Sequence, residues 1–163
     1  MIESVEAFIN YFEGVRRRTV TYISNTPPEH LDWSPREGEF TCRQLITHIV
    51  IAEKMFVGVF VSGRWKYDDS LALAGDMENV LTAFNAHHAE TLQLLRGVPD
   101  SELKTQRKTF DGPELKAWRL LMMMVEHEIH HRSQLAMYQF LLGVKPPHIF
   151  GMGVEDVIGR MTG

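Results

Sequence analysis

Two histidines, His127 and His131, lie four residues apart in a segment with helical periodicity. Residues at positions i and i+4 share one face of a helix, so both imidazole rings project to the same side. Imidazole is the commonest side-chain ligand of transition metals. His48, in an earlier apolar segment, can supply a third ring. Three imidazoles from facing helices would leave one coordination position for water or substrate, as in catalytic zinc sites.

The neighbours of these histidines indicate that the rings face the interior of a bundle. The apolar residues on their helical faces are Leu45, Ile49, Ala52 and Phe56 around His48, and Leu120, Met124, Tyr138 and Leu141 around the histidine pair. An unpaired buried polar atom is costly, and a shared cation satisfies three converging rings best. We therefore predict that His48, His127 and His131 bind a metal ion.

A second interpretation of the same segment is a zinc protease, because His127, Glu128 and His131 match the H-E-x-x-H pattern. The chain has Gln134 and Met137 where the extended metzincin pattern requires glycine and histidine. Glu155 is the one downstream carboxylate suited to complete a different zinc-protease set. No edge strand is predicted that could hold an extended peptide, so a protease is disfavoured.

Other candidate residues give weaker signals. His130 points to a different side of its helix and is an alternative partner to His131. His87 and His88 are adjacent and face apart, so one of them could lie near the core, although the pair is more typical of a partly solvated helix face. The only basic cluster, residues 16–18, also predicts a solvated face. Cys42 is expected at a helix start, where the helix dipole lowers a thiol pKa, but a catalytic role is not favoured.

Composition narrows the class of protein. The net charge of −4 lacks the basic excess of nucleic-acid-binding proteins, so no nucleic-acid partner is expected. A single cysteine cannot form an internal disulfide and fits a reducing compartment. The start of the chain does not resemble a signal peptide, and no apolar stretch is expected to be long enough to span a membrane. The expected location is cytoplasmic.

Apolar residues recur every three or four positions over four long segments, which predicts four helices. Thr41 and Gln44 form a capping box at the start of the second helix, and Pro113 is expected just inside the start of the fourth. No segment predicts a strand convincingly. The predicted helices span about residues 2–23, 41–61, 76–96 and 113–143, with a short one around 155–160.

Four helices of this length predict an all-α fold, a four-helix bundle with long crossover loops and a short irregular C-terminal tail. Residues 1–163 are expected to form a single domain. Long connections allow sequential helices to lie parallel or antiparallel, so the helix order stays open.

Two segments resemble the DinB/YfiT-like family of metalloenzymes: LDWSPREGEFTCRQLITHIVIAE, which contains His48, and HEIHHRSQL, which contains His127 and His131. The resemblance extends over essentially the whole chain and implies a bundle that is often dimeric. It also implies a divalent ion, zinc or nickel in most cases, held by these three histidines. The family commonly has H-R-G-Q in the last helix; Arg132 and Gln134 match, whereas Ser133 replaces the glycine.

We therefore expect a metal-dependent enzyme that acts on a small-molecule substrate, either a hydrolase or a thiol-dependent transferase. The thiol partner implied by the resemblance is a low-molecular-weight thiol, and the implied assembly is a homodimer. Gln134 and Tyr138 are the candidate catalytic residues, because they follow His131 on the same helical face. Two alternatives stay open: a non-enzymatic, stress-related metal-binding module, and a bundle whose packed histidines bind no ion.

Overall fold

The computed structural model describes residues 2–162. Its four long helices confirm the four-helix bundle expected from the sequence. These helices are α1 (Val5–Ser24), α2 (Cys42–Ser62), α3 (Met77–Arg96) and α4 (Ala117–Leu141). Both α1 and α2 pack against α3 and α4, so α1 lies diagonally opposite α2, and α3 opposite α4. The long connections after α1 and α3 therefore cross the bundle. A short helix, α5 (Val154–Met161), follows in the C-terminal segment.

Local sequence fixes where α2 begins, and hence where His48 lies. The Thr41 hydroxyl accepts a hydrogen bond from the Gln44 backbone N–H at 3.1 Å, and the Gln44 side chain accepts one from the Thr41 N–H at 2.9 Å. This is the predicted capping box, which satisfies two amides that the first helical turn leaves free. The helix ends at Gly63, whose φ of 73° suits glycine best.

The apolar character of α2 reflects its place in the bundle. Among residues 2–162, this 21-residue helix, with a mean hydropathy of 1.7, is the one long and apolar enough to cross a membrane. On length and composition alone, the expectation that no segment could do so is therefore wrong. However, 67% of the apolar stretch is buried inside the protein, and Glu53 within it forms an ion pair with Arg16. The core helix of a bundle needs the same composition.

A short β-hairpin precedes α4, where the sequence predicted no strand. Strand β1 (Gln106–Lys108) pairs antiparallel with β2 (Glu114–Lys116). The chain reverses at Gly112, whose φ of 118° strongly favours glycine. Pro113 therefore belongs to the hairpin, and the prediction that it opens the fourth helix is wrong. Three-residue strands are too short to show a period-2 pattern, which explains the error.

Two groups of buried apolar side chains fill the bundle, one on each side of a buried polar layer. One group includes Phe8, Phe12, Phe60, Leu95 and Leu121, and the other includes Ile23, Ile46, Ile49, Phe84 and Leu135. Every long helix also carries a buried charged or titratable side chain near the boundary of the two groups: Arg16, Glu53, His88 and Glu128. This division into two apolar halves determines what surrounds the predicted metal ligands.

Truncation of a core leucine tests this packing. Leu95 is fully buried in the first apolar group, whereas its neighbour Leu94 is 59% exposed. We expect Leu95→Ala to lower the free energy of unfolding by about 2–5 kcal/mol, and Leu94→Ala to change it by less than about 1 kcal/mol. Urea denaturation of both variants measures the difference. Equal losses would contradict the described packing of α3.

Candidate metal centre

The rings of His48, His127 and His131 come together between α2 and α4. The Nε2 atom of His127 lies 3.1 Å from Nε2 of His48 and 3.0 Å from Nε2 of His131. One ring nitrogen from each residue lies within 4.8 Å of the others, an arrangement that could hold a metal ion. The predicted convergence of the three rings therefore exists in the fold. Their assignment as metal ligands is a proposal.

The hydrogen bond at His131 fixes its tautomer in the form that ligates metals. Its Nδ1 lies 2.6 Å from the Gln134 carbonyl oxygen, Oε1, which can only accept. The Nδ1 atom must therefore carry the proton, and Nε2 presents a lone pair to the other two rings. Metal-binding histidines usually donate their second N–H in this way. Gln134 thus holds the His131 ring in position, and a catalytic role for Gln134 stays a prediction.

The spacing of the nitrogens also fits a metal ion. A zinc ion lies about 2.0–2.1 Å from each imidazole nitrogen, which separates tetrahedral ligand nitrogens by about 3.3 Å. The distances of 3.0 and 3.1 Å are slightly shorter and need only small side-chain shifts. Since a neutral ring has a single N–H, the Nε2 of His127 cannot donate to both neighbours. A cation would satisfy all three nitrogens together.

The electrostatics of the site keep these rings neutral. Burial lowers the pKa of His48 and of His131, in the latter case against the raising effect of Gln134. Burial, together with the other rings, lowers the pKa of His127 to about 3. A positive charge on any ring would be desolvated and repelled by its neighbours. The rings are therefore in their ligating, unprotonated form at neutral pH.

Aromatic side chains surround the triad. The ring of Phe40 lies 5.3 Å from that of His48, and the ring of Phe56 lies 6.3 Å from that of His127. His130 is exposed, with its ring 4.9 Å from that of His131, and it does not belong to the group of converging nitrogens. Low-polarity walls of this kind strengthen electrostatic interactions at the site because they exclude water.

Tyr138, the other candidate catalytic residue, lies deeper in the bundle. It is 8% exposed, and its ring packs edge-on against Trp33 at a centroid distance of 5.7 Å. Burial raises the pKa of its hydroxyl, so the phenol keeps its proton at neutral pH. A catalytic role for Tyr138 stays a prediction, and the packing against Trp33 accounts for its position.

Glu128 turns away from the triad. Its carboxylate accepts a hydrogen bond from the Thr19 hydroxyl at 2.6 Å and forms an ion pair with Arg16 at 2.8 Å. Burial raises its pKa despite the charge of Arg16. Glu128 therefore does not face water at a metal, as the general base of the H-E-x-x-H proteases must. Glu155, the other carboxylate considered for a protease, is exposed on α5.

Two expectations about charged residues are wrong. Arg16 is only 3% exposed and pairs with both Glu53 and Glu128, so it does not belong to a solvated face. His88 is 8% exposed and donates from Nδ1 to Glu53 at 2.8 Å. Burial alone would raise the pKa of Glu53, but Arg16 and His88 outweigh it and lower that pKa. The sequence did contain one indication that Arg16 is buried, because this residue falls on the apolar stripe of α1.

Cys42 has the opposite pKa shift from the one expected at a helix start. Its side chain is fully buried, and this burial raises the pKa of the thiol to about 11. The helix dipole is too weak to compensate for the loss of hydration. The thiol is therefore protonated at neutral pH, and Cys42 is a core residue rather than a nucleophile.

Comparison with known proteins agrees with this architecture. The sequence profile of the DinB family matches residues 1–158. The chain belongs to the DinB family. The uncharacterised protein YjoA of Bacillus subtilis is 21% identical over 136 residues, which cover 80% of this chain and 85% of YjoA.

Solved structures share the fold of this DinB-family protein. A DinB-like protein from Bacillus cereus superimposes with a TM-score of 0.76 and 19% identity, covering 91% of this chain and 99% of that one. YfiT from Bacillus subtilis, described as a probable metal-dependent hydrolase with an unusual four-helix bundle topology, has a TM-score of 0.65 and 18% identity. The match covers 86% of this chain and 90% of YfiT. At these identities, the likeness establishes the fold.

Removal of Arg16 tests the buried polar layer. Arg16→Ala leaves Glu53 and Glu128 buried without their shared cation. We expect a loss of about 3–5 kcal/mol in the free energy of unfolding, because an uncompensated buried charge is costly. The neighbouring Arg17 is exposed, and Arg17→Ala should change stability by less than about 0.5 kcal/mol. Urea denaturation compares the two, and similar small losses would show that the layer contributes little.

The thiol of Cys42 provides a pH-dependent test. Its raised pKa favours the thiol in the folded protein, so the stability that it contributes is fully present below pH 9. That contribution falls as pH rises from 9 towards about 11, because the unfolded chain ionises first. Cys42→Ala should remove this part of the alkaline decline in urea-denaturation midpoints. An unchanged decline in the variant, or rapid alkylation of the native wild-type thiol at pH 8, would contradict the assignment.

Proposed function

We propose that this DinB-family protein is a divalent-metal-dependent enzyme of the hydrolase type that acts on a small molecule. In this proposal His48, His127 and His131 hold the ion, which is zinc or nickel. The observation that carries the proposal is the meeting of three neutral imidazole rings across α2 and α4. The Nε2 atom of His127 lies 3.0–3.1 Å from those of the other two, and one ring nitrogen from each residue lies within 4.8 Å of the others. The description of YfiT as a probable metal-dependent hydrolase supports it.

The donor set determines what chemistry is available. Three neutral imidazoles suit zinc and nickel and leave a coordination position open, whereas structural zinc sites usually have four protein ligands. A divalent ion held there would lower the pKa of a bound water molecule, or of a small thiol in its place. The substrate is accordingly a small molecule, with a low-molecular-weight thiol as the alternative nucleophile.

The residues of the chain itself have three tasks in this scheme. The Gln134 carbonyl accepts a hydrogen bond from Nδ1–H of His131 and so keeps the opposite nitrogen free for the ion. Phe40 and Phe56 pack beside the rings of His48 and His127 and exclude bulk water from that side. The low pKa of His127 prevents protons from competing for its ring at neutral pH. The homodimer and the cytoplasmic location implied above stay predictions.

Metal content of variants tests the ligand set. We expect His48→Ala and His131→Ala each to abolish stoichiometric binding of zinc or nickel, because two imidazoles are too few for tight binding. His130→Ala should retain the ion, since the His130 nitrogens lie outside the converging group. Elemental analysis after dialysis against the metal measures all three. Equal metal content in the three variants, or loss in His130→Ala alone, would contradict the assignment.

An assay separates catalysis from mere metal binding. The zinc- and nickel-loaded proteins are offered a panel of small esters and amides, with and without added thiols, before and after chelation. The proposal predicts a turnover that chelation removes, that metal restores, and that Gln134→Ala reduces by weakening the hold on His131. A protein that binds one ion tightly but turns over nothing in the panel would favour the non-enzymatic module. Absence of tight binding would favour the ion-free bundle.

A further inference from the structure

An apolar cavity of about 420 Å³ lies beside the triad, between the helices and the two segments that cover them. Its walls come from α2, α4, the loop after α2 and the tip of the β-hairpin. The residues that form this aromatic cavity are Met55, Phe56, Trp65, Tyr67, Phe110 and Met123. No cationic side chain lines it, and Asp111 is its one acidic lining residue. The cavity is therefore suited to an uncharged apolar group.

Trp65 is held in place as part of the wall. Its Nε1–H donates to the carbonyl of Lys108 in β1 at 2.9 Å, which ties the loop after α2 to the hairpin. Its ring lies edge-on to Phe56 at 5.6 Å and to Phe110 at 6.0 Å, measured between ring centroids. Since its single polar atom is already paired, Trp65 offers only its ring surface to a ligand.

Phe110 is the most exposed large aromatic residue of the cavity. It is 84% exposed at the tip of the hairpin, although a phenyl ring gains stability when it is buried. Its position over the cavity lets it cover an apolar group bound there. Tyr67, 56% exposed, lies in the facing loop. These two rings can be buried by a ligand without any change in the bundle.

Two wall residues connect the aromatic cavity with the surroundings of the triad. Phe56 contacts the Trp65 ring and also packs near the His127 ring, at a centroid distance of 6.3 Å. Tyr67 lines both this cavity and a second one of about 240 Å³, whose walls include Phe40 and His48. Phe56 thus joins the aromatic cavity to His127, and Tyr67 joins it to the cavity that His48 lines. A molecule that reached the triad could therefore place a side group in the aromatic cavity.

We infer that the aromatic cavity binds an uncharged aromatic group of the substrate that reacts at the triad. This inference rests on the proposed function and specifies the substrate class: a small molecule with a reactive polar group a few bonds away from a phenyl-sized ring. The ring would stack on Trp65 and Phe110, while the polar group would face the histidines. Hydrophilic substrates without such a ring would lose this contact.

Two hydroxamates test the inference on the zinc-loaded protein, because both present the same metal-binding group. Benzohydroxamate carries a phenyl ring and acetohydroxamate only a methyl group. We expect calorimetry to show about tenfold tighter binding of benzohydroxamate. Phe110→Ala and Trp65→Ala should reduce this ratio towards one without changing the affinity for acetohydroxamate. Phe150→Ala, which removes a ring that is 74% exposed elsewhere, should leave the ratio unchanged.

A second measurement uses the metal-free protein, so that failure of the metal proposal does not hide the result. We expect 1-naphthol to bind and quench tryptophan fluorescence, and Phe110→Ala to weaken this binding several-fold, whereas Phe150→Ala should not. If naphthol does not bind, or if its affinity is the same in Phe110→Ala as in the wild type, the inference is overturned. An equal affinity of the two hydroxamates would also overturn it while leaving the metal site intact. If the protein binds no zinc yet retains a Phe110-dependent naphthol site, the proposed function fails and the cavity stands.

Discussion

A buried layer of charged and titratable side chains links the four helices, and the geometry of the triad depends on it. Each long helix contributes one member: Arg16, Glu53, His88 and Glu128. Charges taken out of water must find their partners, so the helices are constrained to the axial positions at which these groups meet. Glu53 follows His48 on α2 by little more than one turn, and Glu128 follows His127 directly. The alignment of the layer therefore also aligns His48 with His127.

The buried polar layer and the triad meet in one short stretch of α4. The layer pairs opposite charges, whereas the triad keeps its rings uncharged. Glu128 is stabilised by the charge of Arg16 and the hydroxyl of Thr19. The adjacent His127 has no opposing charge, and its burial among other rings lowers its pKa to about 3. Because successive residues of a helix point about 100° apart, one turn can serve both environments. On one side of α4 a buried carboxylate stabilises the fold, and on the other side a cluster of neutral imidazoles can bind a cation.

Most of the fold could be predicted from the sequence, because long helices leave strong local signals. The capping box at Thr41 and the glycine after α2 placed that helix within a residue or two. The β-hairpin left no such signal, since its strands span three residues and Pro113 resembles a helix start. The order of the helices around the bundle depends on tertiary packing, and long connections permit several arrangements.

The triad itself could be predicted because the i, i+4 spacing and the apolar surroundings of His48 both point inward. The roles of other polar residues could not. Arg16 and His88 resemble surface residues in type, and only the presence of Glu53 and Glu128 opposite them explains their burial. The aromatic cavity could not be predicted either, because Trp65, Tyr67 and Phe110 lie in connections whose conformation is not specified by any sequence periodicity. Sequence patterns thus identify the metal-ligand candidates but not the walls that would select a substrate.

X-ray absorption spectroscopy of the protein loaded with one equivalent of zinc counts the histidine ligands of the ion. We expect three imidazole nitrogens at about 2.0–2.1 Å together with one oxygen ligand in the open position. The His48→Ala variant should lose one imidazole from this shell. A spectrum with no ordered imidazole ligands, or one identical in wild type and His48→Ala, would contradict the account.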